Sequence, residues 1–221
     1  MKIALLLRGL AYYKQYKHWK SHVIPDYEIN YKNYIENHDD MFEKYQVDRY
    51  FHTYKTKNLD NEEMVKKMSP IKYKITDPLF NYDKSHCEKK KRMNSLKNSM
   101  IEALELVVEN VNDYDFIILT RYDIKFHKKI DLSKLDKNTI YSTSYCTIHK
   151  KLIDDNFIII PPNLVLKVLN ILKNWETNTM HTLLGELKKN KLNFLPLVDE
   201  VLRYQDLWTI PSNPQINIRK K

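Results

Sequence analysis

Only two of the 221 residues are glycine, Gly9 and Gly185, and this scarcity restricts the chain more than any other feature. Glycine supplies the left-handed turns and close backbone approaches from which phosphate-cradling loops are made. Neither G-x-G-x-x-G nor the P-loop pattern G-x-x-x-x-G-K-[ST] can therefore be written anywhere in the sequence. Kinases, P-loop NTPases and dinucleotide-binding dehydrogenases are excluded. The two cysteines, Cys87 and Cys146, are too few and too far apart for a Cys-rich zinc module or a disulfide scaffold. They fit a reducing compartment, so the expected location is cytoplasmic.

Apolar residues make up 43% of the chain, enough for a packed core, and the length suits one domain spanning 1–221. The net charge of +9 comes from 31 Lys and only six Arg against 28 acidic residues. Base-edge and bidentate phosphate recognition favour Arg. The charge therefore reads either as Lys-rich solvated surface or as an attractor of an anionic molecule, with Lys89-Lys90-Lys91-Arg92 as its densest cluster. The apolar start, 3–7, ends at Arg8 and is too short for a signal core or a membrane span.

Hydrophobic patterning predicts strands at 3–7, 47–54, 71–75 and 114–120. The first is a continuous aliphatic run of the kind buried on both faces of a parallel sheet. Asp60 with Glu62 and Glu63 announces a helix over 61–68 that Pro70 terminates. A ragged amphipathic pattern over 29–45 predicts a further helix. The clearest one begins at Ser95, where Leu96, Met100, Ala103, Leu104, Val107 and Val108 recur at three and four. Residues 76–92 carry no period and read as a long loop whose basic run closes over an anion. The second part predicts strands at 140–144 and 157–160, then helices at 164–175 and 178–189. The sum is a three-layer α/β/α domain around a mostly parallel sheet.

Ligands of such sheets sit outside the carboxyl ends of the strands. The residues to inspect are Arg8-Gly9, His52-Thr53-Tyr54 and Thr120-Arg121-Tyr122-Asp123. Asp123, just past a buried strand, suits either a divalent cation or a turn. Ser95 and Ser99 stand one helical turn apart behind Arg92, either as an N-cap and its neighbour or as a polar edge at a helix N-terminus. Asp154 and Asp155 precede the apolar run 157–160. Two carboxylates there must meet solvent, a metal or a substrate, and one of them, Asp155 ahead of Asp154, is a candidate general base. His181 and His149 lie in no motif.

The segments 1–9, 47–54, 115–124 and 154–157, in that order and spacing, resemble the GT-A glycosyltransferases, in particular small ones encoded by large DNA viruses and related bacterial polysaccharide enzymes. The resemblance covers about the first three quarters of the chain. It implies a GT-A-like fold with a nucleotide-sugar-binding half over 1–123 and an acceptor-side half over 124–221. It also implies transfer from a UDP- or GDP-sugar to a carbohydrate acceptor, with Mn²⁺ or Mg²⁺ at the diphosphate. In that family an acid-x-acid motif follows the fourth strand. Here only its last position matches, so Asp123 is the carried-over metal ligand and Arg121 replaces the first acid, where it faces sugar or phosphate. The resemblance places Arg8 and Gly9 beside the nucleotide; Thr53 and Tyr54 suit the base by their chemistry. A nucleotidyltransferase, or a non-enzymatic binder of polyanion or nucleic acid, are the alternatives. Six scattered arginines and no aromatic stacking motif argue against a nucleic-acid partner.

Overall fold

The computed structural model describes residues 1–9, 17–18, 21–22, 42–55, 60–78, 89–122, 124–126, 130–143, 156–176, 182–197 and 208–209. The first strand, β1 (Lys2–Arg8), is buried from its second residue onward and lies at the middle of a seven-stranded sheet. Two-residue strands β2 (Lys17–His18) and β3 (Ser21–His22) form a separate antiparallel pair. Strand β4 (Gln46–Tyr54) pairs with β1 in parallel, helix α1 (Asn61–Met68) crosses over, and β5 (Lys72–Thr76) pairs in parallel with β4. Helix α2 (Lys89–Glu105) and a 3-10 stretch over Val108–Asp113 lead to β6 (Phe116–Arg121), parallel to β1 on its other side.

A two-residue strand β7 (Lys125–Phe126) pairs with β11 (Trp208–Thr209). The main sheet continues through β8 (Thr139–Ser142), β9 (Phe157–Ile160), helices α3 (Val165–Asn174) and α4 (Leu183–Lys189), and β10 (Asn193–Pro196). The order across the sheet is β10-β8-β9-β6-β1-β4-β5, with β9 alone antiparallel to its neighbours.

Two cores sandwich this sheet. On one face Ala4, Leu6, Tyr50, Ile117 and Leu119 pack against Met100, Ala103 and Leu104 of α2, Leu172 of α3 and Leu187 of α4. On the other, Ile3, Leu5, Leu7, Phe51, Phe116 and Ile118 meet Met64 and Met68 of α1 together with Phe42 and Leu132. The architecture is therefore the three-layer α/β arrangement expected, with each fully buried aliphatic side chain contributing about 1.5–3 kcal/mol. Alternation along each strand decides which residues belong to which layer.

Helix α1 starts where its sequence says: the Asp60 carboxylate accepts from the backbone N–H of Glu62 and of Glu63, both at 3.0 Å. It ends at Ser69, whose left-handed conformation returns an N–H to the Val65 carbonyl. At the amino ends of the strands, Tyr114 donates to Asp48 at 2.9 Å and pairs with the Tyr50 hydroxyl at 2.6 Å. Lys2 meets Asp48 at 2.8 Å in the same cluster. That end of the sheet is locked rather than open.

Three expectations need correction. The loop read over 76–92 does not extend that far, because Lys89–Arg92 already form the first turn of α2. Lysine and arginine are good helix formers, and their lack of apolar period hid the helix start. Ser95 is consequently interior to α2, not its N-cap. The four residues Phe42–Tyr45, at the end of the helix expected over 29–45, form a turn; 29–41 lie outside the described residues.

Candidate functional site

In a doubly wound sheet the crevice opens outside the carboxyl ends, where the strand order reverses. Here the chain leaves β1 toward β4 and β5 on one side and returns to β6 on the other, so the reversal lies between β1 and β6. Those strands end in Arg8 and Arg121, and the register sets these two residues level. Ala4 and Leu6 face the α2 layer, so Arg8 does too; Ile117 and Leu119 put Arg121 on the same face. Two guanidinium side chains thus leave adjacent strands, about 4.8 Å apart, on one side of the sheet.

The row continues. Leu7 is level with Phe51, which brings the next residue of β4, His52, level with Arg8. His52 is in turn level with Lys74 of β5. Arg121, Arg8, His52 and Lys74 therefore line up across four neighbouring strands over about 14 Å. Like charges set directly opposite one another destabilise a sheet. Within the row Arg8 and Arg121 are the cations set directly opposite one another, while Lys74 is paired with Glu102.

Helix α2 roofs the row. Arg8 Nη1 donates to Ser99 Oγ over a long 3.4 Å, and Ser99 donates to the Leu96 carbonyl at 2.7 Å. Tyr54 donates its hydroxyl to the Ser95 carbonyl at 2.6 Å, and Lys74 forms an ion pair with Glu102. At the β6 end, Arg121 Nη1 donates to Asn156 Oδ1 at 2.8 Å, while Thr120 Oγ1 donates to the Asn156 carbonyl at 3.2 Å. From the other face Tyr122 donates to the His52 carbonyl at 3.2 Å. These bonds fix the strand ends relative to one another before any ligand arrives.

The charge states follow from burial. Arg8 is 1% exposed and His52 fully buried. Burial, then Lys74 and Arg8, pull the His52 imidazole down to about 4, so it is neutral at pH 7. Its Nε2 lies 2.8 Å from Thr76 Oγ1, and its Nδ1 has no hydrogen-bond partner among the described residues. Burial pushes the Tyr54 hydroxyl up to about 12 and Tyr122 upward as well, so both act as hydrogen-bonding groups, not as charges. The cations of the row are Arg8, Arg121 and Lys74, the last paired with Glu102.

The structure brings Arg8, Tyr54, Ser95, Ser99 and Arg121 to one face. It does not bring Thr53 or Thr120 there: Phe51, Phe116 and Ile118 point to the α1 layer, and Thr53 and Thr120 follow them. Thr53 and Tyr54 therefore cannot flank one base from the same side. Tyr54, 3% exposed, holds the end of β4 against α2. Gly9 has φ +92°, and a Cβ there would meet nothing within 4 Å. Among the described residues glycine is demanded by that backbone conformation, not by crowding. Arg92 lies in the first turn of α2, close to one helical turn before Ser95.

Asp123, Asp154, Asp155, His149 and His181 lie outside the described residues. Asn156, next in sequence after the Asp154-Asp155 pair, is the residue that both Thr120 and Arg121 hold. Among the described residues no three His, Cys, Asp or Glu side chains converge as a metal site. The described floor is cationic and hydroxylic and does not by itself suit a cation.

The sequence marked His52 only as part of a strand end to inspect, and it gave no sign of Lys74 or Asn156 as partners of the site. His52 lies within β4, Lys74 within β5 and Asn156 just before β9, and only the register sets them beside Arg8 and Arg121. Compared with known proteins, the chain matches no protein-family model and no curated protein sequence. Among solved structures it is similar to the apo-form glycosyltransferase GlyE of Streptococcus pneumoniae TIGR4, with a TM-score of 0.47 and 12% identity. That match covers 88% of this chain and 44% of the other, so the chain spans less than half the length of that structure.

Proposed function

We propose that the chain is a glycosyltransferase that moves a sugar from a UDP- or GDP-sugar to a carbohydrate acceptor, and that the crevice at the ends of β1 and β6 receives the diphosphate. The observation that carries this reading is the level placement of Arg8 and Arg121 on one face at the point where the strand order reverses. The sequence resemblance supplies the reaction; the two guanidiniums supply what it needs. As the bond from the sugar anomeric carbon to the phosphate oxygen breaks, the departing nucleoside diphosphate gains negative charge. Fixed cations near that oxygen lower the barrier without reorganising.

The acceptor hydroxyl forms the new bond to the anomeric carbon and must lose its proton. Asp155, or Asp154 beside it, is the proposed base. Asn156, next in sequence after this pair, is held by Arg121 and Thr120. Asp123, one residue beyond Tyr122, is the proposed ligand of a Mn²⁺ or Mg²⁺ ion, which would share the diphosphate charge.

Turnover of UDP- and GDP-sugars, followed as release of nucleoside diphosphate that depends on added glycan, tests the reading. Asp123→Asn should remove metal-dependent turnover by ten-fold or more while the fold, followed by circular dichroism, is kept. Release of pyrophosphate in place of nucleoside diphosphate would replace the reading with nucleotidyl transfer.

A further inference from the structure

The crevice contains one group that the proposed chemistry leaves unused. His52 stands in the row between two cations, Arg8 of β1 on one side and Lys74 of β5 on the other. Its neighbours on β4 are Tyr50 and Tyr54, the latter ring edge-on at 4.9 Å. Thr76 of β5 holds Nε2, and α2 contributes Ser95, Ser99 and Glu102, the last engaged by Lys74. Arg121 of β6 is one strand further along. An imidazole placed in this way is flanked by positive charge and by neutral hydroxyls. It has one nitrogen, Nδ1, without a hydrogen-bond partner among the described residues.

We propose that His52 is a third, proton-switched cation of the anion site: it takes up one proton from solvent when a diphosphate is seated against Arg8 and Arg121, and loses it when the diphosphate leaves. The inference rests on the placement of the diphosphate proposed above. Without an anion, Arg8 and Lys74 repel a proton on the ring and burial penalises the charge. A diphosphate beside Arg8 places two or more negative charges next to the imidazole and reverses the sign of the field it feels. In the imidazolium both ring nitrogens donate, so Nε2–H faces Thr76 Oγ1, 2.8 Å away, and the other proton sits on Nδ1. The consequence is linkage: the bound protein carries more protons than the free protein, so affinity rises as pH falls.

The test uses the full chain with UDP and with GDP as probes, titrated calorimetrically at pH 6.5 and pH 5.5 with wild type and His52→Gln. Protonation of the nucleotide's own phosphate is common to both proteins and cancels in the comparison. Uptake of one proton caps the effect at tenfold per pH unit. The expected result is that wild type gains at least about threefold more affinity than His52→Gln over that interval. Equal gains in the two proteins overturn the proton switch while leaving the diphosphate site standing. Absence of binding by either nucleotide to wild type at both pH values overturns the site and the switch together.

Because His52 is buried, a second reading needs no substitution. The assigned imidazole Cε1–H resonance of wild type at pH 5.5 should move toward the imidazolium position on adding the nucleotide. A resonance that stays at its neutral position with bound nucleotide overturns the inference.

Discussion

His52 ties stability to pH in a way that can be worked out in advance. The imidazole sits at about 4 in the folded chain against 6.5 in the unfolded one, lowered by burial first and then by Lys74 and Arg8. A group with a depressed folded pKa of this kind is a base that folding keeps neutral. Below 6.5 the unfolded chain binds the proton and the folded chain does not, so stability is fully present above 6.5 and is lost as pH falls toward 4. The whole shift corresponds to about 3 kcal/mol, of which about 2 kcal/mol disappears between pH 7 and pH 5. His52→Gln keeps a polar side chain for Thr76 and removes the titration. Urea unfolding of both proteins at pH 7 and pH 5 isolates the effect, because the other titrating groups are shared. The advantage of wild type over the variant should shrink by about 2 kcal/mol at the lower pH. A difference that stays constant to within about 0.5 kcal/mol would refute the buried neutral imidazole and the row of charges that explains it.

Three further outcomes follow from named contacts. Asp60→Ala removes the acceptor for two backbone N–H groups at the start of α1 and should cost about 1 kcal/mol in urea unfolding. Tyr114→Phe deletes the hydroxyl that links Tyr50 to Asp48 at the closed end of the sheet. It should cost about 1–3 kcal/mol and leave nucleotide affinity unchanged, since that cluster lies at the opposite strand ends. Arg121→Lys keeps the charge but loses the planar fork, so UDP or GDP affinity measured by calorimetry should fall several-fold, and an unchanged affinity would make Arg121 structural.

Much of the fold was readable because its strands and helices carry strong patterns. The run 3–7 has no polar interruption, and only a strand covered on both faces accommodates that, as β1 does. Asp60 and the paired glutamates mark α1 to the residue. What failed was weakly patterned. The four basic residues opening α2 carry no apolar period, and β10, with one buried residue among Asn193–Pro196, lacks the run that announces a strand. The site divided in a similar way. Arg8, Tyr54 and Arg121 were legible as strand ends, but which face each occupies depends on alternation counted from a known core. Thr53 and Thr120 were set one residue out of phase with the crevice for that reason. The row from Arg121 to Lys74 is a property of register across four strands, and register is set by pairing that no local window contains.

A crystal structure of the chain with UDP or GDP and Mn²⁺ would show whether the two arginines receive the diphosphate. Diphosphate oxygens should lie at about 2.7–3.2 Å from the guanidinium nitrogens of Arg121 and Arg8, at the carboxyl ends of β6 and β1 on the α2 face of the sheet. A nucleotide bound elsewhere, or one whose phosphates turn away from both arginines, would contradict it.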